Sequence, residues 1–347
     1  MPTKIRWGIL GVAAIATKKV IPGMQKSDLL EVAAIASRDL ARARHAAEGA
    51  GIPKFYGSYE DLLADPEIEV IYNPLPNHLH VPWSIKAAEA GKHVLCEKPI
   101  ALSTAETEQL MAARDRTGVK IGEAFMVRTH PQWLRARELV NNSAIGEPRL
   151  VISAFSYFNA DPNNIRNQAD IGGGAIMDIG CYPITMSRWF FGREPSRVLA
   201  VIERDPNMRT DRLSSALLDF APGQAVFSCS TQLVPYQSFQ ILGTKGRIDV
   251  YWPFNTPPDE PAYLRIDNGS KPIAGVSERT EEFPAQDQYM LQAEAFSAAV
   301  KGERDVPVPL EDAWANMAVI EALFRSAQTG RWEDPAAPLP PGRTRSL

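Results

Sequence analysis

The stretch HVLCEKP at residues 93–99 indicates how the first half of the chain folds. Residues 94–96 are apolar in succession, which is the pattern of a parallel strand with both faces covered. Such a strand delivers Glu97 and Lys98 to its carboxyl end, and ligands of open α/β sheets bind outside those ends. Pro99 stops the strand and stiffens the turn. Lys98 is therefore a candidate ligand contact, with a surface cap on the strand as the alternative.

Length and composition fit a globular protein of about two domains. The chain has 347 residues, of which 45% are hydrophobic and 22% charged. A net charge of -4 and a pI near 5.8, without a run of basic residues, argue against nucleic acid and against a membrane surface as partners.

The cysteines and the first residues bear on location. Cys96, Cys181 and Cys229 are odd in number and lack metal-type pairing, which is typical of reduced thiols and predicts no disulfide. The first residues lack the apolar core of a signal peptide, and no uncharged apolar run approaches the roughly 18 residues of a membrane span. We expect a cytoplasmic protein.

A degenerate nucleotide fingerprint follows the first predicted strand, residues 5–10. It reads Gly11, Val12, Ala13, Ala14, Ile15 and Ala16, a GxGxxA pattern with alanine at the second glycine position. Glycine at the first position permits the tight turn, and the helix start that follows would receive a pyrophosphate on its amide groups and positive dipole. Taken alone, the segment fits a plain strand–turn–helix nearly as well.

The end of the second predicted strand, residues 31–36, bears on cofactor choice. Ser37 and Arg38 occupy the place where an acidic residue favours the ribose 2′-hydroxyl and an arginine or a hydroxyl favours a 2′-phosphate. Arg42, one helical turn on, would share that charge. These residues favour NADP. NAD is the alternative, because the Asp39 carboxylate would reach a ribose hydroxyl if it does not cap the next helix.

A stiff loop ends the next strand, predicted over residues 68–73. It contains Leu75, Pro76, Asn77 and His80, and its two prolines make it a candidate platform for a flat ring. His78 and His80 lack the companions of a metal site, so we predict no metal.

The remaining elements complete an α/β domain. A helix opens at Ser58, a second covers about 81–90, a capping box at 103–106 starts a third that Gly118 ends, and a last strand covers 119–126. We place a Rossmann-type, doubly wound parallel sheet at residues 1–126. A second domain occupies 127–334 and a proline-rich tail 335–347.

In the second half of the chain, apolar and polar residues alternate with a period of two. Ala225, Phe227, Cys229 and Leu233 alternate with polar residues, and turn signals at 222–223 and 243–246 predict hairpins. This pattern predicts a largely antiparallel sheet in an α+β domain. Two apolar stripes predict helices on one of its faces, namely Tyr289, Ala293, Phe296 and Val300, and Met317, Ile320, Phe324 and Ala327.

Three glycines at 172–174 precede a helical run that holds two polar candidates. Asp178 and Tyr182 are four residues apart and so share a helix face. A phenol has a reference pKa near 10, and a nearby ammonium favours its phenolate, so Lys98 placed beside Tyr182 would make it a general base. The alternative is a packing tyrosine and a surface charge.

Together, the segments at 11–16, 75–80, 90–99, 172–178 and 243–246 resemble the Gfo/Idh/MocA oxidoreductase family across nearly the whole chain. The resemblance implies a Rossmann domain followed by an α/β domain whose large open sheet often forms a dimer interface, and hence a homodimer or homotetramer. It also implies a Lys98–Pro99 bond that is frequently cis.

Tyr182, where many members have histidine, resembles the branch with glucose-fructose oxidoreductase, dihydrodiol dehydrogenase and NADP-dependent xylose dehydrogenase. In that branch Lys98 and Tyr182 correspond to the catalytic pair, and NADP is preferred. Arg166 matches a family arginine near cofactor and substrate.

These inferences predict an NADP-dependent sugar dehydrogenase. Tyr182 would take the proton of the anomeric hydroxyl of an aldose as hydride passes to the nicotinamide, giving a lactone. Lys98 would bind the substrate oxygen and hold Tyr182 as phenolate, and Asp178 would orient the sugar. A dihydrodiol substrate, an NAD-assisted glycoside hydrolase and a non-catalytic NADP sensor are the alternatives.

Overall fold

A computed structural model describes residues 4–271 and 278–335. Its strands and helices, in chain order, are β1 (Ile5–Leu10), α1 (Ile21–Met24), β2 (Leu30–Ala36), α2 (Leu40–Ala50), β3 (Lys54–Tyr56), α3 (Tyr59–Ala64), β4 (Val70–Asn73), α4 (His80–Glu89), β5 (His93–Glu97), α5 (Thr104–Thr117), β6 (Ile121–Ala124), α6 (Pro131–Asn141), β7 (Pro148–Phe158), α7 (Cys181–Phe191), β8 (Arg197–Arg204), β9 (Asp211–Asp219), β10 (Gln224–Ser230), β11 (Gln232–Gly243), β12 (Arg247–Val250), β13 (Ala262–Asp267), β14 (Glu278–Phe283), α8 (Gln288–Val300) and α9 (Leu310–Thr329).

The chain divides into two compact units. One comprises residues 4–129 with 287–313, and the other comprises 130–286 with 314–335. The division differs from the predicted boundary at 126/127, because residues 287–313 return to the first unit. The proline-rich tail predicted at 335–347 lies outside the described residues except for Pro335. Within the described ranges, no helix combines the length and the apolar character that crossing a membrane requires.

The first unit is a doubly wound α/β structure. Its strands are all parallel and lie in the order β3-β2-β1-β4-β5-β6. Strands β1 to β3 are added towards one edge of the sheet and β4 to β6 towards the other, so the strand order switches between β1 and β4. Val94 and Cys96 of β5 are fully buried, as their unbroken apolar run predicts. The predicted fold class is confirmed. The carboxyl ends of β1 and β4 mark the point where such sheets bind ligands.

Local sequence signals set the helix ends in this unit. Ser58 and Ser103 accept hydrogen bonds from the backbone N–H groups of Asp61 and Glu106, as N-caps do. The predicted capping box is shifted by one position, because the Glu106 carboxylate accepts from Leu102 N rather than from the N-cap amide. Gly118 ends α5 in the left-handed conformation.

Helix α8 corrects one prediction. Its apolar stripe was assigned to the sheet of the second half, but Ala293 and Phe296 belong to the core of the first unit. There the rings of Phe296 and Trp7 lie 5.8 Å apart, and Trp7 Nε1 donates to Ser297 Oγ over 3.2 Å. An apolar stripe predicts that a helix face is buried but does not identify the surface that covers it.

The second unit is built on an open, mostly antiparallel sheet. Its strands lie in the order β14-β13-β12-β11-β7-β10-β9-β8, and only β7 and β10 pair in parallel among them. The hairpins predicted at 222–223 and 243–246 join β9 to β10 and β11 to β12. Cys229 is buried as predicted, but Leu233 is 47% exposed because it begins a new strand, β11, after the turn at Thr231.

One face of this sheet carries α6 and α7 over an aromatic core. The ring of Phe254 is fully buried and stacks on Phe155 at 4.8 Å. Trp133 of α6 donates from Nε1 to the Pro253 carbonyl, which ties the segment before Phe254 to that helix. Tyr182 of α7 enters the same core, so its ring is held by packing from two sides.

Candidate active site

Buried polar side chains hold the turn that carries Lys98. The Glu97 carboxylate accepts a hydrogen bond from the Tyr72 hydroxyl at 2.6 Å and one from the Lys98 backbone N–H at 3.3 Å. Beyond the cis Lys98–Pro99 bond, the Ile100 N–H donates to Glu123 Oε1 over 2.8 Å. Glu97, predicted as a cofactor contact, thus fixes the backbone at Lys98, and Glu123 fixes it at Ile100.

His80 joins two loops. Its ring nitrogens lie 2.8 Å from the Pro99 carbonyl and 2.6 Å from the Leu75 carbonyl, and its side chain is 1% exposed. Burial lowers the pKa of His80 to about 4, and the two backbone carbonyls act against that fall. We predicted that His80 binds the cofactor; because both nitrogens face backbone carbonyls, its evident contribution is to hold these two loops together.

The fingerprint turn lies against the same stiff loop. Gly11 has φ +87°, and a Cβ there would lie 3.0 Å from Leu75 Cδ2, so glycine serves both the backbone conformation and the close approach. Helical residues begin at Ala14, which is exposed, and Val12, Ala13 and Ile15 are half-buried around the turn. Pro76 and Asn77 are half-buried where a 3₁₀ turn, Asn77–Leu79, leads into α4.

Three polar residues, Ser37, Arg38 and Asp39, follow strand β2. Ser37 is buried and its Oγ accepts from Asp39 N, while the Asp39 carboxylate accepts from the N–H groups of Ala41 and Arg42. Asp39 therefore caps α2, which settles one alternative left open by the sequence. Arg38 and Arg42 are exposed.

Tyr59 was not selected from the sequence. Its hydroxyl lies near enough to the Arg38 side chain to interact with it, and 3.5 Å from where a Cβ on Gly11 would stand. Burial raises the pKa of Tyr59, and the positive charge of Arg38 acts against that rise. The pairing of Ala36 with Tyr56 brings the residues after β2 and β3 together, which is the signal that could have found this contact.

In the second unit, the Asp178 carboxylate has two partners. Tyr157 donates to Asp178 Oδ2 over 2.6 Å and Arg166 donates to it from Nε over 3.0 Å. The side chain of Asp178 is 14% exposed, which excludes the surface-charge alternative. Arg166 lies on the loop between β7 and the helical run and is the contact predicted there. Tyr157, near the end of β7, carried no signal in the sequence.

Tyr182 follows a widened helical turn. Residues Ile176–Gly180 form a π-helical turn that holds Asp178, and α7 starts directly after it. The ring of Tyr182 is 5% exposed and lies 5.8 Å from Phe155 and 5.3 Å from Phe254. Single π-helical turns are frequent at functional sites, because they redirect the side chains that follow. Tyr182 is thus both a packed ring and a neighbour, in sequence, of a buried carboxylate.

Metal ligands are not grouped in the part of the chain that the structure describes: no three His, Cys, Asp or Glu side chains there could hold a metal ion. The side chains at both sites are instead tyrosine, lysine, arginine and single carboxylates, which act by proton transfer and hydrogen bonding.

Two family models match this chain. The model of an oxidoreductase family with an NAD-binding Rossmann fold covers residues 5–125, and the GFO/IDH/MocA C-terminal domain covers residues 133–249. The chain belongs to the Gfo/Idh/MocA oxidoreductase family. The resemblance drawn from its motifs is thereby confirmed, and the protein is an oxidoreductase with an NAD(P)-binding Rossmann domain.

Individual relatives cover almost the whole chain. It is 52% identical to the uncharacterized oxidoreductase ORF334 of Rhizobium meliloti, over 95% of this chain and 98% of that one. It is 40% identical to D-xylose 1-dehydrogenase (NADP(+)) 2 of Haloferax volcanii, over 93% and 98%. Among solved structures, KijD10, a 3-ketoreductase from Actinomadura kijaniata in complex with NADP and TDP-benzene, is similar with a TM-score of 0.85 and 30% identity, over 93% and 98%.

The Tyr59–Arg38 contact predicts a role in cofactor preference. We expect Tyr59→Phe to weaken NADPH binding about tenfold, because a hydrogen bond to a charged group contributes about 1.5 kcal/mol or more and its loss frees the guanidinium. NADH binding should change less than about twofold. Fluorescence titration of both nucleotides measures the ratio.

Tyr56→Phe is the matched control, because the Tyr56 hydroxyl donates to Asp65 and not to an arginine. Equal losses for NADPH and NADH in Tyr59→Phe would contradict a role at the 2′-phosphate.

Proposed function

We propose that this family member is an NADP-dependent sugar dehydrogenase that oxidises the anomeric carbon of an aldose to a lactone. The observation that carries the proposal is the Asp178 carboxylate, held by Tyr157 and Arg166 four residues before a packed tyrosine. A carboxylate fixed in this way is suited to accept hydrogen bonds from sugar hydroxyls and to orient them. The name of the Haloferax volcanii relative supports an aldose as the substrate class.

In this proposal Tyr182 carries out the proton transfer. As a phenolate it removes the proton from the anomeric hydroxyl, and in the reverse direction the phenol returns a proton to the substrate oxygen. When bound, the nicotinamide supplies hydride acceptance. The packing of Tyr182 against the stacked rings of Phe155 and Phe254 restricts its ring, which favours transfer along one direction.

Lys98 provides the positive charge. We propose that its ammonium hydrogen-bonds the substrate oxygen and favours the phenolate of Tyr182. The solved structures of KijD10 include Tyr→Phe and Lys→Ala variants, at two positions separated along that chain by as many residues as Lys98 and Tyr182 are here. The clamped backbone around Lys98 is consistent with a side chain whose position matters.

NADP is the proposed cofactor. Ser37, Arg38 and Arg42 offer a hydroxyl and two cations near the end of β2, while the Asp39 carboxylate is used in capping α2. A guanidinium held by Tyr59 suits a phosphate better than a neutral ribose. The relative from Haloferax volcanii is named for NADP(+), and KijD10 was crystallised with NADP.

Loss of the Tyr182 hydroxyl should abolish turnover. We expect Tyr182→Phe to lower kcat by about a thousandfold or more, because general-base contributions reach about 10⁴, while NADPH binding stays within about twofold of the wild type. The measurement is NADPH formation at 340 nm with a panel of aldoses, trans-dihydrodiols and, in reverse, nucleotide-linked ketosugars.

Tyr263→Phe, on strand β13, serves as the matched tyrosine control. Full turnover by Tyr182→Phe would refute the assignment. Wild-type glycoside cleavage without net NADPH would favour the hydrolase alternative, and binding without any turnover would favour the sensor.

Removing the charge of Lys98 should displace the pH profile of the reaction. A positive neighbour lowers the pKa of a phenol, so Lys98→Met should raise the pH at which kcat/KM is half-maximal by about one unit or more. Activity should therefore recover partly at high pH. Lys98→Arg keeps the charge and should keep the wild-type midpoint; a midpoint unchanged in Lys98→Met would contradict the proposed coupling.

We also propose a cytoplasmic homodimer or homotetramer assembled through the open sheet of the second unit. The sheet presents exposed apolar side chains, including Val234 at 75%, Tyr236 at 57% and Tyr251 at 40%. Apolar surface of this kind marks interaction sites.

We expect sedimentation velocity to give a dimer or a tetramer, and we expect the double variant Val234→Glu with Tyr236→Glu to dissociate it. A monomeric wild-type protein would contradict the proposal. Cys96, Cys181 and Cys229 are buried thiols, and none of them forms a disulfide within the described residues, which supports a reducing compartment.

A further inference from the structure

A buried carboxylate from another part of the second unit caps the helical run that holds Asp178 and Tyr182. Asp211, the first residue of β9, is 1% exposed, and its Oδ2 accepts the backbone N–H of Ile176 over 2.7 Å. Ser214 Oγ lies 3.3 Å from the same oxygen. The first N–H groups of a helix have no partner within it, so an acceptor brought from β9 fixes the start of this one.

The chain before Ile176 is shaped around this carboxylate. Gly174 has φ +125°, and a Cβ at that position would lie 1.9 Å from Asp211 Oδ1. A side chain at Gly174 would therefore displace the carboxylate. By contrast, a Cβ on Gly49, in α2, would meet nothing within 4 Å. The last of the three glycines at 172–174 is thus explained by Asp211 rather than by a ligand.

Backbone hydrogen bonds connect the Gly174–Ile176 segment to Asp178 and to Cys181, the residue before Tyr182. The carbonyl of Ile176 accepts the N–H of Cys181 across the π-helical turn, and Tyr182 is the next residue. The carbonyl of Gly174 accepts the N–H of Asp178 over 3.0 Å. Movement of the Gly174–Ile176 segment therefore displaces the backbone of Asp178 and of Tyr182 together.

We propose that Asp211 is a positioning residue for the dehydrogenase reaction, because its bond to Ile176 sets where Asp178 and Tyr182 stand. This inference rests on the proposed function. Asp211 touches neither substrate nor cofactor in this scheme and acts only through the backbone. A displacement of about 1 Å at reacting groups can cost about a hundredfold in rate, so a single anchoring bond is sufficient to matter.

The charged surroundings of Asp211 define suitable assay conditions. Burial raises the pKa of Asp211 to about 6, and the Ile176 N–H and the positive charge of Arg204 on β8 act against that rise. The Cys229 thiol on β10 is the other titratable group that interacts electrostatically with it. Assays at pH 8 keep the carboxyl ionised.

The experiment compares Asp211→Ala with Asp211→Asn. Alanine removes the acceptor, whereas asparagine can still accept the Ile176 N–H through Oδ1. At pH 8 we expect Asp211→Ala to lower kcat for the aldose about tenfold or more, with the Kd for NADPH within about twofold of wild type. Asp211→Asn should stay within about threefold in kcat. Hydrogen–deuterium exchange of residues 174–182 should be faster in the alanine variant only.

Asp205→Ala is the matched control. Asp205 is also buried, and its carboxylate accepts from the N–H groups of Asn207 and Met208 in the turn between β8 and β9. Its loss should leave kcat and the exchange of residues 174–182 unchanged. If Asp211→Ala does not fold, Asp211→Ser replaces it, because a serine hydroxyl is too short to reach Ile176.

Three outcomes overturn the inference. Faster exchange in Asp211→Ala with wild-type kcat would make Asp211 purely structural, and unchanged exchange would show that it does not anchor the segment. Equal defects in the asparagine and alanine variants would also refute a role based on hydrogen-bond acceptance. If the wild-type protein oxidises no aldose, the proposed function fails, whereas the exchange measurement still decides whether Asp211 holds Ile176.

Discussion

The hydrogen bonds of buried side chains to the backbone around Lys98 are the constraint on which the nucleotide unit depends. A strand end is a weakly fixed place, because the ladder that holds β5 stops at Glu97. Here Glu97, Glu123 and His80 each bind a backbone group within three residues of Lys98. Glu123 and His80 are buried, and a buried polar group without a partner costs about 1–3 kcal/mol, so stability and alignment of the lysine have the same source.

The second unit uses the same construction on different elements. Asp178 is held by Tyr157 from β7 and by Arg166 from the following loop, and the helical run beneath it is held by Asp211 from β9. The ring of Tyr182 is held by aromatic packing against Phe155 and Phe254. Polar contacts thus fix Asp178 and the start of the helical run, and apolar contacts fix the ring of Tyr182.

How well the sequence predicts this structure depends on how far apart in sequence the interacting residues lie. Strand ends, hairpins and the caps at Ser58 and Gly118 depend on neighbours in sequence, and these were predicted within a few residues. The parts that escaped prediction depend on partners distant in sequence. Tyr59 meets Arg38 only because β2 and β3 pair, Asp211 meets Ile176 across 35 residues, and α8 returns to the first unit after the whole second sheet.

The loop between β7 and the helical run combines a fixed base with a variable surface. Asn167 is 3% exposed, and its side-chain amide donates to the carbonyls of Asn159 and Asp161, which closes the loop on itself. Arg166 extends from it to Asp178, while residues 160–163 are exposed. Loops anchored in this way tolerate changes at their tips without loss of the anchor. The exposed residues 160–163 can therefore be substituted while Asp178 keeps its hydrogen bonds and its orientation.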